Sequence, residues 1–187
     1  MEKHKPIREG QLLLSEPFMW DENFKRTVVL LCSQSSDGTS GLLLNKPVSL
    51  RLHDLIDDFP ASFEADLYSG GPVGTDLIQL LHTLGNQLAG SQKICDGVWW
   101  GGDFDQLKKR IREGKVQPHQ VRFYLGYSGW EENQLAEECA ENSWILTPAT
   151  QRYVFNSEAD LLWKNIMNEM GGIYRTMAAY PENPILN

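Results

Sequence analysis

The sequence predicts an α+β fold, and three observations carry that expectation. Short blocks of β-branched and other apolar residues, bounded by turn formers, are more numerous than segments with helical periodicity. Strands and helices do not alternate regularly, which argues against a doubly wound parallel sheet. The runs Thr27–Leu31 and Gly41–Leu44 are apolar at successive positions, the pattern of strands covered on both faces.

Taken in order, the strand-like segments are Gln11–Leu14, Thr27–Cys32, Ser40–Leu44, Leu67–Tyr68, Leu77–His82, Gln92–Trp100, Val121–Tyr127 and Trp144–Leu146. Asp37-Gly38 is a turn signal, so Thr27–Leu44 is expected to form a hairpin with a somewhat long loop. Ser49 is placed to cap a helix whose Leu52, Leu55, Ile56 and Phe59 share a face, stopped by Pro60. Asp103 caps the next, with Gln106 as its reciprocal partner and Gly114 at the left-handed end. A third helix spans about Asn133–Glu141. A fourth starts near Ser157, with Asp160 in capping-box position, and ends at Gly171-Gly172. Gly126 and Gly129 read as letting a strand turn into the third helix, with Trp130 packed across the bend. The chain of 187 residues reads as a single domain over 1–187, with tails at 1–9 and 178–187. That length buries roughly 70% of the unfolded surface, enough for a self-sufficient core.

Charge and composition exclude several roles. The formal net charge of -8 opposes direct nucleic-acid binding, which draws affinity from cations on phosphates. The densest basic run, Leu107–Arg112, has Leu107 and Ile111 at helical spacing and reads as a solvated helix face. No window is long and apolar enough to span a membrane. The charged start has no apolar core, so no signal peptide is expected. Three widely spaced cysteines fit neither a disulfide framework nor a zinc site, which points to a reducing, cytoplasmic setting.

Candidate chemistry is sparse. Ser128 sits in Gly126-Tyr127-Ser128-Gly129-Trp130, and Trp130 stands where a nucleophile elbow requires glycine. Cys32 follows Val28–Leu31 and reads as a small buried hydrophobe, as does Cys139. His53, His82 and His119 share no metal-ligand spacing, so neither metal nor cofactor is expected. His82 closes a strand and is the histidine best placed to face a cleft. Gly70-Gly71-Pro72 lacks the Lys and the free amides of a phosphate loop, and marks a close backbone or ligand approach. Trp99-Trp100-Gly101-Gly102 ends a strand and reads as core or contact. Asp57-Asp58 and Glu131-Glu132 are adjacent pairs that diverge, making poor acid/base partners. In Gly41-Leu42-Leu43-Leu44-Asn45-Lys46-Pro47 the proline ends the pairing and Asn45 is read as a bridge across the turn.

Six motifs in register give a stronger signal. Glu16–Cys32, Ser40–Pro47, Tyr68–Val73, Leu80–Thr83, Arg122–Glu138 and Asn142–Ala149 resemble, in order, the AlgH/YqgE family of bacterial proteins, over about Gly10–Met177. The resemblance implies a branched, mostly antiparallel β-sheet packed around a few helices. It also implies a regulatory role, in the transcriptional control of alginate synthesis. Gln34 stands where family members commonly have histidine, and Ser128 where alanine is usual, which weakens any thiol–imidazole or serine mechanism.

The expectation is therefore a cytoplasmic, non-enzymatic regulatory protein acting through a protein partner or small ligand. Asn45, Gly70, Gly71 and His82 are the candidate binding residues. Two alternatives stay open: a hydrolase or thiol-redox enzyme using Cys32 or His82, and a DNA-binding transcriptional regulator. A homodimer is also open.

Overall fold

Alternation along each strand decides which side of the sheet its residues serve. In β2 (Val28–Ser35), Val28, Leu30 and Cys32 join one apolar cluster, while Val29 and Leu31 join another with Leu13, Trp130 and Trp144. This is the two-sided burial that the unbroken apolar run implied. In the computed structural model, which describes residues 6–155 and 158–182, these strands belong to a single nine-stranded sheet.

The other strands are β1 (Gln11–Ser15), β3 (Gly38–Leu43), β4 (Leu67–Ser69), β5 (Val73–His82), β6 (Ser91–Cys95), β7 (Val98–Gly101), β8 (Val121–Trp130) and β9 (Trp144–Pro148). Their spatial order is β6-β7-β5-β8-β3-β2-β1-β9, with β4 branching off β8. Every pairing is antiparallel except β4 with β8. The expected α+β class and branched sheet are both present.

The branch has a local cause. β8 keeps β5 on one edge, through Leu125↔Ile78 and again Tyr127↔Val73, while on the other edge it pairs first with β4, up to Leu125↔Ser69, and then with β3, through Ser128↔Gly41 and Trp130↔Thr39. Between them Gly126 has φ 67, a left-handed conformation that lets the strand kink and exchange partners. Sequence reading took these glycines for a turn into a helix. The strand instead continues through Trp130, because the kink is absorbed by a change of neighbour.

Two further strand boundaries move. The hairpin loop is only Ser36-Asp37, since Ser35 pairs with Gly38. The expected single strand Gln92–Trp100 is itself a hairpin, β6–β7, with Cys95 paired to Val98 around Asp96-Gly97. Asp-Gly fills the second loop, whereas in the first Gly38 already belongs to β3.

Helix α2 (Phe104–Arg112) forms as expected, and the Gln106 amide donates to Asp103 Oδ1 at 2.9 Å. The reciprocal contact is absent, because Gln106 Oε1 accepts from Ala89 N at 3.0 Å. Helix α3 (Gln134–Ala140) also matches. The first helix, α1 (Leu52–Leu55), is a single turn with Arg51 at its N-cap, so Ser49 does not cap it. α4 (Gln151–Phe155) and α6 (Gly172–Ala178) were not anticipated. α5 (Ala159–Met170) buries Leu162, Trp163, Ile166 and Met167 against the Leu12–Leu30–Tyr124 face. Its proposed cap, Ser157, lies outside the described residues. At the C-terminal end Ala178 is buried, so the segment read as tail begins inside α6. Among the described residues no helix is long and apolar enough to cross a membrane.

Candidate functional site

The four residues singled out in the sequence are held by the fold itself. Asn45 follows β3 and clamps its neighbour: Val28 N donates to Asn45 Oδ1 at 2.9 Å, and Asn45 Nδ2 donates to the Arg26 carbonyl at 3.0 Å. Asn45→Ala orphans both backbone groups and is expected to cost about 2 kcal/mol, read as a lower urea midpoint. Asn45→Asp, which keeps the acceptor alone, is expected to lose less.

Gly70 and Gly71 pack against β8. The Gly70 carbonyl accepts from Leu43 N at 3.0 Å and from Ser128 Oγ at 3.2 Å. This bond, with the complete burial of Ser128, gives that hydroxyl a structural use.

His82 is fully buried. Leu84 N donates to its Nδ1 at 3.2 Å, so the ring proton sits on Nε2 and is donated to Ser91 Oγ at 3.0 Å. Ser91 passes its own proton to the Leu88 carbonyl at 2.9 Å. Burial lowers the His82 pKa from 6.5 to about 4, with a smaller opposing contribution from the Gly101 backbone. The unfolded chain therefore binds the proton more readily. His82 contributes its full stability above pH 6.5, loses it as pH falls towards 4, and changes little below that. Urea titrations should show about 3 kcal/mol lost over this window, and a much flatter window in His82→Gln.

None of these four borders a groove of ≈ 620 Å³ on the sheet. It crosses five neighbouring strands in the order β7-β5-β8-β3-β2, on the face that α5 covers elsewhere. A bulge between Leu31 and Ser33 interrupts strict alternation, and both Cys32 and Ser33 reach the groove. Ser35 and Ser40 add hydroxyls from the β2–β3 hairpin and Tyr127 another from β8, while Thr39, next to Ser40, points to the opposite face with Trp130. Among the described residues, the side-chain hydroxyls of Ser33, Ser40 and Tyr127 make no hydrogen bond within the protein.

Trp100 closes the β7 side, where its Nε1 donates to Gln79 Oε1 at 3.1 Å. At the hairpin end the groove meets Asp37, Glu131 and Gln134, and no Lys, Arg or His borders it among the described residues. Its field therefore disfavours anions. Cys32 belongs to its floor, yet is 1% exposed, and burial pushes its thiol well above the ordinary range, with Glu9 and Cys95 adding to the shift. Such a thiol is a poor nucleophile at neutral pH. The signal for this site in the sequence was weak. It consists of hydroxyls following an apolar run in β2, and an aromatic beside glycine in β8.

Fold and groove together define a single-domain α+β protein with a curled, branched sheet and an open groove of mixed polar and apolar lining. The chain belongs to the AlgH-like family, whose model matches residues 12–175. It is 41% identical to a UPF0301 protein of Bacteroides fragilis, over 95% of this chain and 90% of the relative. It is 40% identical to a UPF0301 protein of Chlorobium limicola, over 97% and 96%. The solution structure of the AlgH protein from Pseudomonas aeruginosa superimposes with a TM-score of 0.71 at 26% identity, covering 97% of this chain and 98% of that one. A Corynebacterium diphtheriae crystal structure shares the fold, with a TM-score of 0.78 at 21% identity over 96% and 95%.

Proposed function

We propose that this protein works by binding rather than by catalysis, as a cytoplasmic regulatory protein whose working surface is the groove over β8. The observation that carries this reading is the set of unpartnered hydroxyls of Ser33, Ser40 and Tyr127 at one concavity beside Trp100. Binding sites of this volume place a few polar groups around an aromatic wall. Asn45, Gly70, Gly71 and His82 serve this reading as supports. Gly70 in particular holds β8 through Ser128, next to Tyr127.

A thiol enzyme is the weaker reading because Cys32 is sealed and its thiol raised. With the native protein, a disulfide reagent such as DTNB should leave Cys32 unmodified for as long as the fold persists; modification at a free-thiol rate would reverse this preference. A DNA-binding role is opposed by the charge, and three of the four cations of α2, Lys108, Arg110 and Arg112, are already engaged. Lys108 Nζ pairs with Asp105 at 3.0 Å and donates to the Asp57 carbonyl at 3.3 Å, while Arg112 donates to the Asp58 carbonyl at 2.6 Å.

The binding reading is tested by recording amide spectra of the labelled protein with the low-molecular-weight fraction of a bacterial extract. Shifts centred on Ser33–Ser40 and Tyr127–Glu131 are expected. A spectrum unchanged at the groove sinks the reading.

A further inference from the structure

We infer that the groove takes an uncharged, polyhydroxylated ring compound, a neutral carbohydrate, and this inference rests on the binding reading above. The chemistry of the lining carries it. Ser and Tyr hydroxyls rotate and serve as donor or acceptor at need, and the three unpartnered ones of Ser33, Ser40 and Tyr127 line a single groove. A sugar hydroxyl has the same dual character, so each pairing can be satisfied whichever way the proton points. Gln79 adds directionality: its Oε1 is occupied by the Trp100 indole at 3.1 Å, which leaves its amide N–H groups to donate. The same bond fixes the Trp100 ring. Fixed aromatic rings offer a surface for the C–H face of a pyranose, as amphipathic rings with one apolar and one polar aspect do in general.

Charge narrows the class further. The ionisable side chains at the groove that carry charge at neutral pH are Asp37 and Glu131, both acidic, with Glu132 in the adjoining depression. A phosphorylated or uronic-acid ligand would be repelled and would find no cation among the described residues. A neutral sugar needs no counter-charge, and the two carboxylates are acceptors for its hydroxyls. At ≈ 620 Å³ the groove has room for more than one ring. Because the hydroxyls exchange water for ligand, each bond contributes modestly, and dissociation constants of roughly 10 µM to 1 mM are expected.

The test uses the full chain and the Trp100 indole and groove amide signals. The probes are neutral trisaccharides (maltotriose, cellotriose, mannotriose, N-acetylchitotriose), trigalacturonate and a tri-arginine peptide. At least one neutral trisaccharide is expected to shift these signals, trigalacturonate none. Trp100→Ala should weaken that binding about tenfold or more, and Ser40→Ala roughly threefold to tenfold. A native spectrum elsewhere in each variant excludes unfolding.

The extract fraction decides the matter if every trisaccharide is silent. Activity that passes an ion exchanger and is destroyed by periodate, which cleaves vicinal diols, supports the carbohydrate class. Activity that survives periodate, or is removed by a cation exchanger, overturns that class while leaving the binding reading intact, and tri-arginine shifting the groove alone does the same. A groove silent to the extract as well as to every probe overturns both.

Discussion

Gly71→Ala is expected to lose about 3 kcal/mol or more of folding stability, enough to halve or worse the stability of a marginal domain. A Cβ on Gly71 would lie 2.3 Å from the Tyr127 carbonyl carbon and oxygen and 2.4 Å from Ser128 N. These are backbone atoms of a central strand, so no rotamer change relieves the overlap. The residue also has φ 149, which side chains with a Cβ rarely adopt. Urea denaturation monitored by tryptophan emission gives the measure. Gly129→Ala is the control on the same strand, because its Cβ would meet nothing closer than a Tyr127 ring carbon at 3.4 Å. If Gly71→Ala stays within 1 kcal/mol of the parent (roughly the median cost of a point substitution), the close approach of the two chains is softer than described.

That close approach shows what the sequence could and could not disclose. Glycine pairs advertise a tight contact without naming the chain that makes it. Gly70-Gly71 was legible as a close approach, but its partner, β8, lies more than fifty residues away. Elements with strong local signals came through: the Asp103 cap, the apolar strands β1 and β2, and the buried face of α5. Asn45 was readable as a backbone bridge because an amide at the end of a strand has few other uses, but both its bonds go to Arg26 and Val28 at the start of β2 rather than across the turn at Pro47. The β6–β7 hairpin was misjudged because apolar residues flank Asp96-Gly97 closely enough to mask the turn. The groove was invisible for a different reason. The β2–β3 hydroxyls reach Tyr127 and Trp100 only because β8 exchanges β4 for β3 at Gly126, and partner exchange leaves no periodic trace. The family resemblance supplied the branched sheet, which periodicity alone had not.

Glu138→Ala should cost about 3 kcal/mol, and it should also loosen one wall of the groove. Glu138 Oε2 accepts from two indoles, Trp130 Nε1 at 2.9 Å and Trp144 Nε1 at 2.7 Å. Both tryptophans are 5% exposed and pack against Phe24, so truncation leaves two indole N–H groups without their acceptor. Bonds to a charged acceptor are about twice as strong as neutral ones, which is why the loss exceeds that of a single cap. Glu138→Gln keeps one carbonyl oxygen and should lose roughly half as much. The consequence for the groove follows from the other oxygen. Glu138 Oε1 accepts from Gln134 Nε2 at 2.9 Å, and Gln134 Oε1 accepts from Glu131 N at 2.9 Å, so one carboxylate anchors α3 to the end of β8. Glu131 and Gln134 both border the groove. Ligand-induced shifts at Glu131 should therefore shrink in Glu138→Ala while those at Trp100, on the opposite side, persist. Equal loss at both ends would mean that the variant had disturbed the whole sheet. Unchanged shifts at both would mean that the carboxylate serves the core alone.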